Sequence, residues 1–168
     1  MADDDRYTFS SLMSVLIDSQ SKLKRFYDEA AAKTDQLKLK SHLLENSNIV
    51  LKQTDMMRRV RMQSVVEIAL EPINGSKLND VLERLHVAEK NAADHLDKVA
   101  VYEKALSELY VRCSSLIEQM SADTSRLLLE LSQKCVERAS WLSQPEPKQR
   151  TVDTLQRQLR HRSTGDDG

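Results

Sequence analysis

The stretch KLNDVLERLHVAEKNAADHLDKVAVYEKALSELYVRCSSLIEQM, residues 77–120, contains neither glycine nor proline. Stepping through it alternately by four and three residues gives Leu78, Leu82, Leu85, Glu89, Ala92, Leu96, Val99, Glu103, Leu106, Tyr110, Cys113, Ile117 and Met120. All but the two glutamates are apolar or aromatic, so the stretch reads as a helix with one inward seam. Outward from it the same rhythm recurs. Phe9, Leu12, Leu16, Ser19, Leu23, Phe26 and Ala30 form a first stripe. Leu39, Leu43, Asn46, Val50, Gln53, Met57 and Val60 form a second, more polar one, and Leu128, Leu131, Cys135 and Leu142 a last.

The breakers are few and well placed. No proline or glycine precedes Glu71; then EPINGS brings Pro72 and Gly75, and the next breaker is Pro145. Candidate N-caps at Thr34 or Asp35, and at Ser121 or Asp123, divide the two arms. Four helices are predicted, over 7–33, 36–71, 77–119 and 123–143. The expected fold is all-α: an antiparallel bundle with a long central hairpin around EPINGS and a shorter helix packed on it at each end. A continuous coiled-coil rod is the rival arrangement. Residues 1–6 read as an acidic disordered N-terminus, 7–143 as the bundle and 144–168 as a proline-initiated, disordered basic tail.

Bulk composition agrees with this class. The 168 residues suit one domain, and three glycines, three prolines and 4% aromatics disfavour a turn-rich β fold. Net charge is −1, so no strong global field draws the chain to nucleic acid or lipid. No run reaches the roughly 18 apolar residues of a membrane span. The opening MADDDRYTFSS lacks the basic-then-apolar order of a secretory signal, and without one the NGS sequon at 74–76 carries no weight. Cys113 and Cys135 form no C-x-x-C pair, which suits a reducing, cytoplasmic setting.

Chemistry-bearing motifs are sparse. ERLHVAEK places Glu83, His86 and Glu89 at the spacing of half a carboxylate-bridged metal site. On the helix the three fan over about 120°, and no second Glu-x-x-His exists. A structural role therefore takes precedence, with metal binding by Glu83, His86 and Glu89 as the alternative. If the helices flanking EPINGS are antiparallel neighbours, Glu89 faces Arg58, Arg59 and Arg61, and Glu103 faces Glu45 and Asn46. Asn46, Gln53, Glu89 and Glu103 are then polar seam residues that set the helix register. His42 lies near Glu45 in the reversed order, His95 beside the seam, and His161 in the tail. Zinc lacks a clustered ligand set, no glycine-rich phosphate loop is present, and no nucleophile–base pairing is indicated. MMRRVRM, residues 56–62, has three arginines without interleaved aromatics, which argues against a nucleic-acid surface.

SKLKRFYDEAAAK, residues 21–33, resembles the opening helix of ferritin-like, rubrerythrin-type bundles. A shift of 69 residues lays Leu12 on Val81, Leu16 on Leu85, Leu23 on Ala92, Tyr27 on Leu96 and Ala30 on Val99, similar to the repeated hairpins of that superfamily. The resemblance, over about residues 8–143, implies a four-helix bundle around a di-metal site. It places Gln20 and Glu89 where the family carries metal carboxylates, and Cys135 and Arg138 where it carries Glu-x-x-His; LLENSNIVL offers no histidine. The resemblance thus implies a bundle kept and a ligand set lost.

After Leu142 the chain reads SQPEPKQRTVDTLQRQLRHRSTGDDG. Val152, Leu155 and Leu159 make one apolar stripe among Lys148, Arg150, Arg157, Arg160 and Arg162, a pattern able to dock on a partner. The sequence as a whole implies a non-catalytic interaction or structural bundle without a cofactor, self-associating, with a metal-binding ferritin-like protein and a coiled-coil subunit of a larger complex as alternatives.

Overall fold

A computed structural model describes residues 6–64, 68, 70–90 and 94–144. Five α-helices and one two-stranded ribbon occur among them: β1 Arg6–Thr8, α1 Phe9–Ala32, α2 Leu37–Gln63, β2 Pro72–Asn74, a 3-10 turn Ser76–Leu78, α3 Asn79–Lys90, α4 His95–Ile117 and α5 Ala122–Leu142. The class is helical, as the seam predicts. No helix of the described residues is long and apolar enough to cross a membrane.

Local chemistry sets the boundaries. Thr8 caps α1 reciprocally with Ser11, satisfying amides that the first turn leaves open. This cap starts α1 at Phe9 rather than at residue 7. Residues 6–8 are instead extended, pairing antiparallel with β2 from Arg6 opposite Asn74 to Thr8 opposite Pro72. Part of EPINGS is therefore a strand. The cap of α2 falls on Gln36 rather than Thr34 or Asp35; Thr34 Oγ1 accepts from the Gln36 amide at 3.3 Å. Helix α2 ends at Gln63 because Ser64 turns extended, at ψ 136°. The expected end at residue 71 is too late.

The third predicted helix is two. Asp94 adopts an extended backbone and its carboxylate accepts from the Leu96 amide at 2.9 Å, starting a new helix at His95. Ser121 caps α5 as expected, accepting from the Thr124 amide. Residues 1–5 and 145–168, including the stripe Val152, Leu155 and Leu159, lie outside the described residues.

The helices do not pair as a central hairpin. The most extensive packings are α4 on α5 and α1 on α2, followed by α1 on α4 and α3 on α4. Helices α4 and α5 close over small side chains spaced by seven. Ser107 meets Ser132 at 3.0 Å and Ser114 meets Ser125 at 2.6 Å, and Ala100 and Ala139 continue the two rows. Helix α1 buries Leu12, Leu16, Leu23 and Phe26 along its seam and is the most apolar partner available. Arg112, late in α4, reaches the Lys77 carbonyl beside β2, while β1 opens α1; Glu103, early in α4, meets Tyr27, late in α1. Helices α1 and α4 are thus antiparallel. The chain from α2 to α4 crosses the bundle through α3, which is clamped antiparallel on α4 by Asp80, Arg84, Glu108 and Arg112.

Candidate functional site: the polar centre of the bundle

Each of the four long helices sends polar side chains to a common interior layer. Gln20 comes from α1, Gln53 from α2, Glu103 from α4 and Arg138 from α5. Gln20 and Glu103 are wholly buried. Arg138 Nε donates to Glu103 Oε1 at 2.6 Å, and its Nη2 to Glu103 Oε2 at 3.3 Å, a two-pronged pair. Arg138 Nη1 reaches Gln53 Oε1 at 3.5 Å, and Gln20 Nε2 donates to the same oxygen at 3.1 Å. Tyr27 donates to Glu103 Oε1 at 2.7 Å, and Tyr110 to Gln20 Oε1 at 2.6 Å. Arg138 Nη2 also lies 3.6 Å from Cys135 Sγ.

Burying a charge pair costs several kcal/mol per ion unless the remaining donors and acceptors are met. Here they are met: among the described residues no buried side-chain nitrogen or oxygen lacks a partner. Burial raises the Tyr27 phenol well above its ordinary range, and the Glu103 carboxylate beside it adds to the rise. Burial likewise raises Tyr110, and raises Tyr102, whose hydroxyl donates to the Ser19 carbonyl. Burial pushes the Cys113 thiol up to about 12. It pushes Cys135 up too, with Glu103 contributing. Burial disfavours the charge on Arg138, but Glu103 more than offsets this and holds the guanidinium protonated. The tyrosines and thiols are thus held neutral, and the Glu103 oxygens are taken by an arginine and a phenol. The arrangement fastens helices; it presents no activated nucleophile or base.

The expected site residues fall elsewhere. Glu83 and His86 are exposed, and Glu89 is half-buried against Lys22 of α1 at 2.9 Å. Glu89 does not meet the 58–61 arginines: Arg58 pairs with Asp55, Arg59 with the Asp55 carbonyl and Arg61 with Ser10. Glu103 meets Tyr27 and Arg138, not Glu45 and Asn46. Both corrections share one cause, since the anticipated register took α2 and the third arm as a closely packed hairpin. Asn46 is buried on α2, and Gln53 does join the interior layer. Of the positions where the resemblance places metal ligands, Gln20 and Arg138 enter the layer, while Glu89 lies outside it. Among the described residues no three His, Cys, Asp or Glu side chains converge to hold a metal.

Gln20, Tyr27 and Arg138 are the members of the layer that the seam stepping passes over, whereas Tyr110 and Glu103 lie on it. Their signal is present: on α5 the step from Cys135 to Leu142 skips Arg138, which lies on the same inward face. His42, half-buried, stacks on Trp141 with ring centroids 3.8 Å apart, tying α2 to the end of α5. His95 is half-buried at the first turn of α4. In comparison with known proteins, the chain matches no family model, no curated protein and no solved structure.

Proposed function

We propose that this chain is a non-catalytic helical bundle that serves as a protein-interaction or structural module and associates with itself in the cytoplasm. The observation that carries the reading is a row on α2: Leu37, Leu44 and Leu51, spaced by seven and exposed by 82%, 45% and 36%. The buried face of α2 lies elsewhere, on Leu39, Leu43, Val50 and Met57. A leucine row left in water along a helix is area that association removes from solvent. The closed polar interior supports the non-catalytic half of the reading, because its groups are engaged with one another. The ferritin-like resemblance is part of the proposal. Two helical hairpins joined by one long crossover is the connectivity of ferritin-like bundles, and the order α1–α2, α3 crossing, α4–α5 supports it. The di-metal chemistry is not carried over, since an arginine–glutamate pair stands at the centre.

Sedimentation equilibrium over a range of concentrations tests this. The expected mass is a multiple of 19.2 kDa that reverts to one chain in L44K/L51K while helicity is unchanged. A single-chain mass at every concentration, identical in the variant, overturns it.

A further inference from the structure

The long helices form a ring in the order α1, α2, α5, α4, tied on its loosest side by the His42–Trp141 stack. The leucine row lies on the outer side of the α1–α2 pair. Leu44 and Leu51 stand about 40–60° around α2 from Ser47, which donates to Asp28 of α1, and about 160–180° from His42. The opposite side of the ring, along α4 and α5, carries a second apolar strip. Leu129 and Val136 of α5 and Val111 of α4 are 48%, 45% and 43% exposed. Each stands about 40–60° outside the rows of serine and alanine that join these two helices. Leu129 and Val136 are spaced by seven, as Leu44 and Leu51 are, so the two rows match in period.

Charge decides how these faces combine. Exposed Lys38, Lys40, Lys52, Arg58, Arg59 and Arg61 make α2 strongly basic, with Glu45 and Asp55 its exposed acids. Two copies laid leucine row on leucine row would press these bases together. The α4–α5 side has the opposite sign, with Asp97, Glu118, Asp123, Glu130 and Glu137 exposed. Its exposed bases are Arg126, Lys134 and Lys104, the last in line with Val111. Arg126 already pairs with Asp123 and Lys134 with Glu137, each at 3.6 Å. We infer, resting on the self-association proposed for the leucine row, that its partner is the α4–α5 face of a second copy rather than a second α2. Leu44 and Leu51 then lie along Leu129, Val136 and Val111. Because the two faces point in opposite directions, two copies cannot make both contacts at once. Each joined pair keeps one free face of either kind, and further copies add head to tail into a ring or a filament.

Complementary surface variants test this by sedimentation. L44K/L51K blocks the leucine row and L129K/V136K the opposite strip, all at exposed positions, so helicity and thermal melt should match wild type. Wild type should grow in mass with concentration, while each variant alone stays at 19.2 kDa. Mixed in equal amounts, the two variants should form a complex of twice that mass that grows no further, since each supplies its one intact face. Added sodium chloride should weaken wild-type association, because the contact joins opposite charges. The inference is overturned if L129K/V136K associates like wild type, if the mixture stays at one chain, or if salt strengthens association. Should L44K/L51K alone lose association in those cases, the row still joins copies, through a symmetric contact, and the function proposed above stands. A wild type that is a single chain at every concentration removes both.

Discussion

Glu103 shows how one residue's surroundings decide between site and structure. A glutamate at an inward helix position is a metal ligand when its neighbours are acids and histidines. Between Tyr27 and Arg138 it is a buried anchor. The Tyr27 hydroxyl bonds a charged group, and such bonds contribute about 1.5–3 kcal/mol, against roughly 1 for a neutral pair. Tyr27→Phe should therefore destabilise the fold more than Tyr102→Phe, whose hydroxyl meets only the Ser19 carbonyl at 3.2 Å. Urea melts of the two variants check this. Equal losses would contradict the anchoring role given to the Tyr27–Glu103 bond.

At the scale of elements, α3 is held differently from the long helices. It buries only Val81, Leu85 and Ala88 and relies on a surface cluster in which exposed Asp80 and Arg84 meet half-buried Glu108 and Arg112. The hydrogen bond from Arg112 holds the Asp80 carboxyl below its ordinary range, and that from Arg84 does the same for Glu108. Both folded-state values lie under the unfolded ones, so their contribution is complete above the ordinary carboxylate range near 4 and is lost as pH falls through the lower folded values. Hydrogen exchange in 79–90 should accelerate below about pH 4 before that in α4 and α5. Uniform acceleration along the chain would contradict a separately clamped α3. Element type was legible because the 3.6-residue stripes are long, and the Ser121 cap was legible from its side chain. The break at Asp94 was missed because NAAD continues the seam through Ala92, and the cap depends on the backbone turning. The β1–β2 ribbon, three residues a side, is too short to show an alternating pattern. Helix pairing was missed because Ala100, Ser107, Ser114, Ser125, Ser132 and Ala139 mark the α4–α5 contact by being small, and hydrophobic stepping passes over small residues.

For the whole molecule, the polar centre means that the four long helices are fastened at one point. Removing one side of a buried pair strands the other charge and costs about 3–5 kcal/mol, whereas replacing both with apolar side chains of similar volume is often neutral or stabilising. A metal or catalytic centre carries no such expectation of recovery. Equilibrium unfolding of wild type, R138M and E103L/R138M, followed by Trp141 fluorescence and far-UV circular dichroism together, measures the difference. The expected result is one coincident transition in each protein, R138M weaker by about 3–5 kcal/mol, and the double variant returning close to wild type. A double variant as weak as R138M, or probes that part into two transitions, would contradict a polar centre whose role is to fasten one bundle.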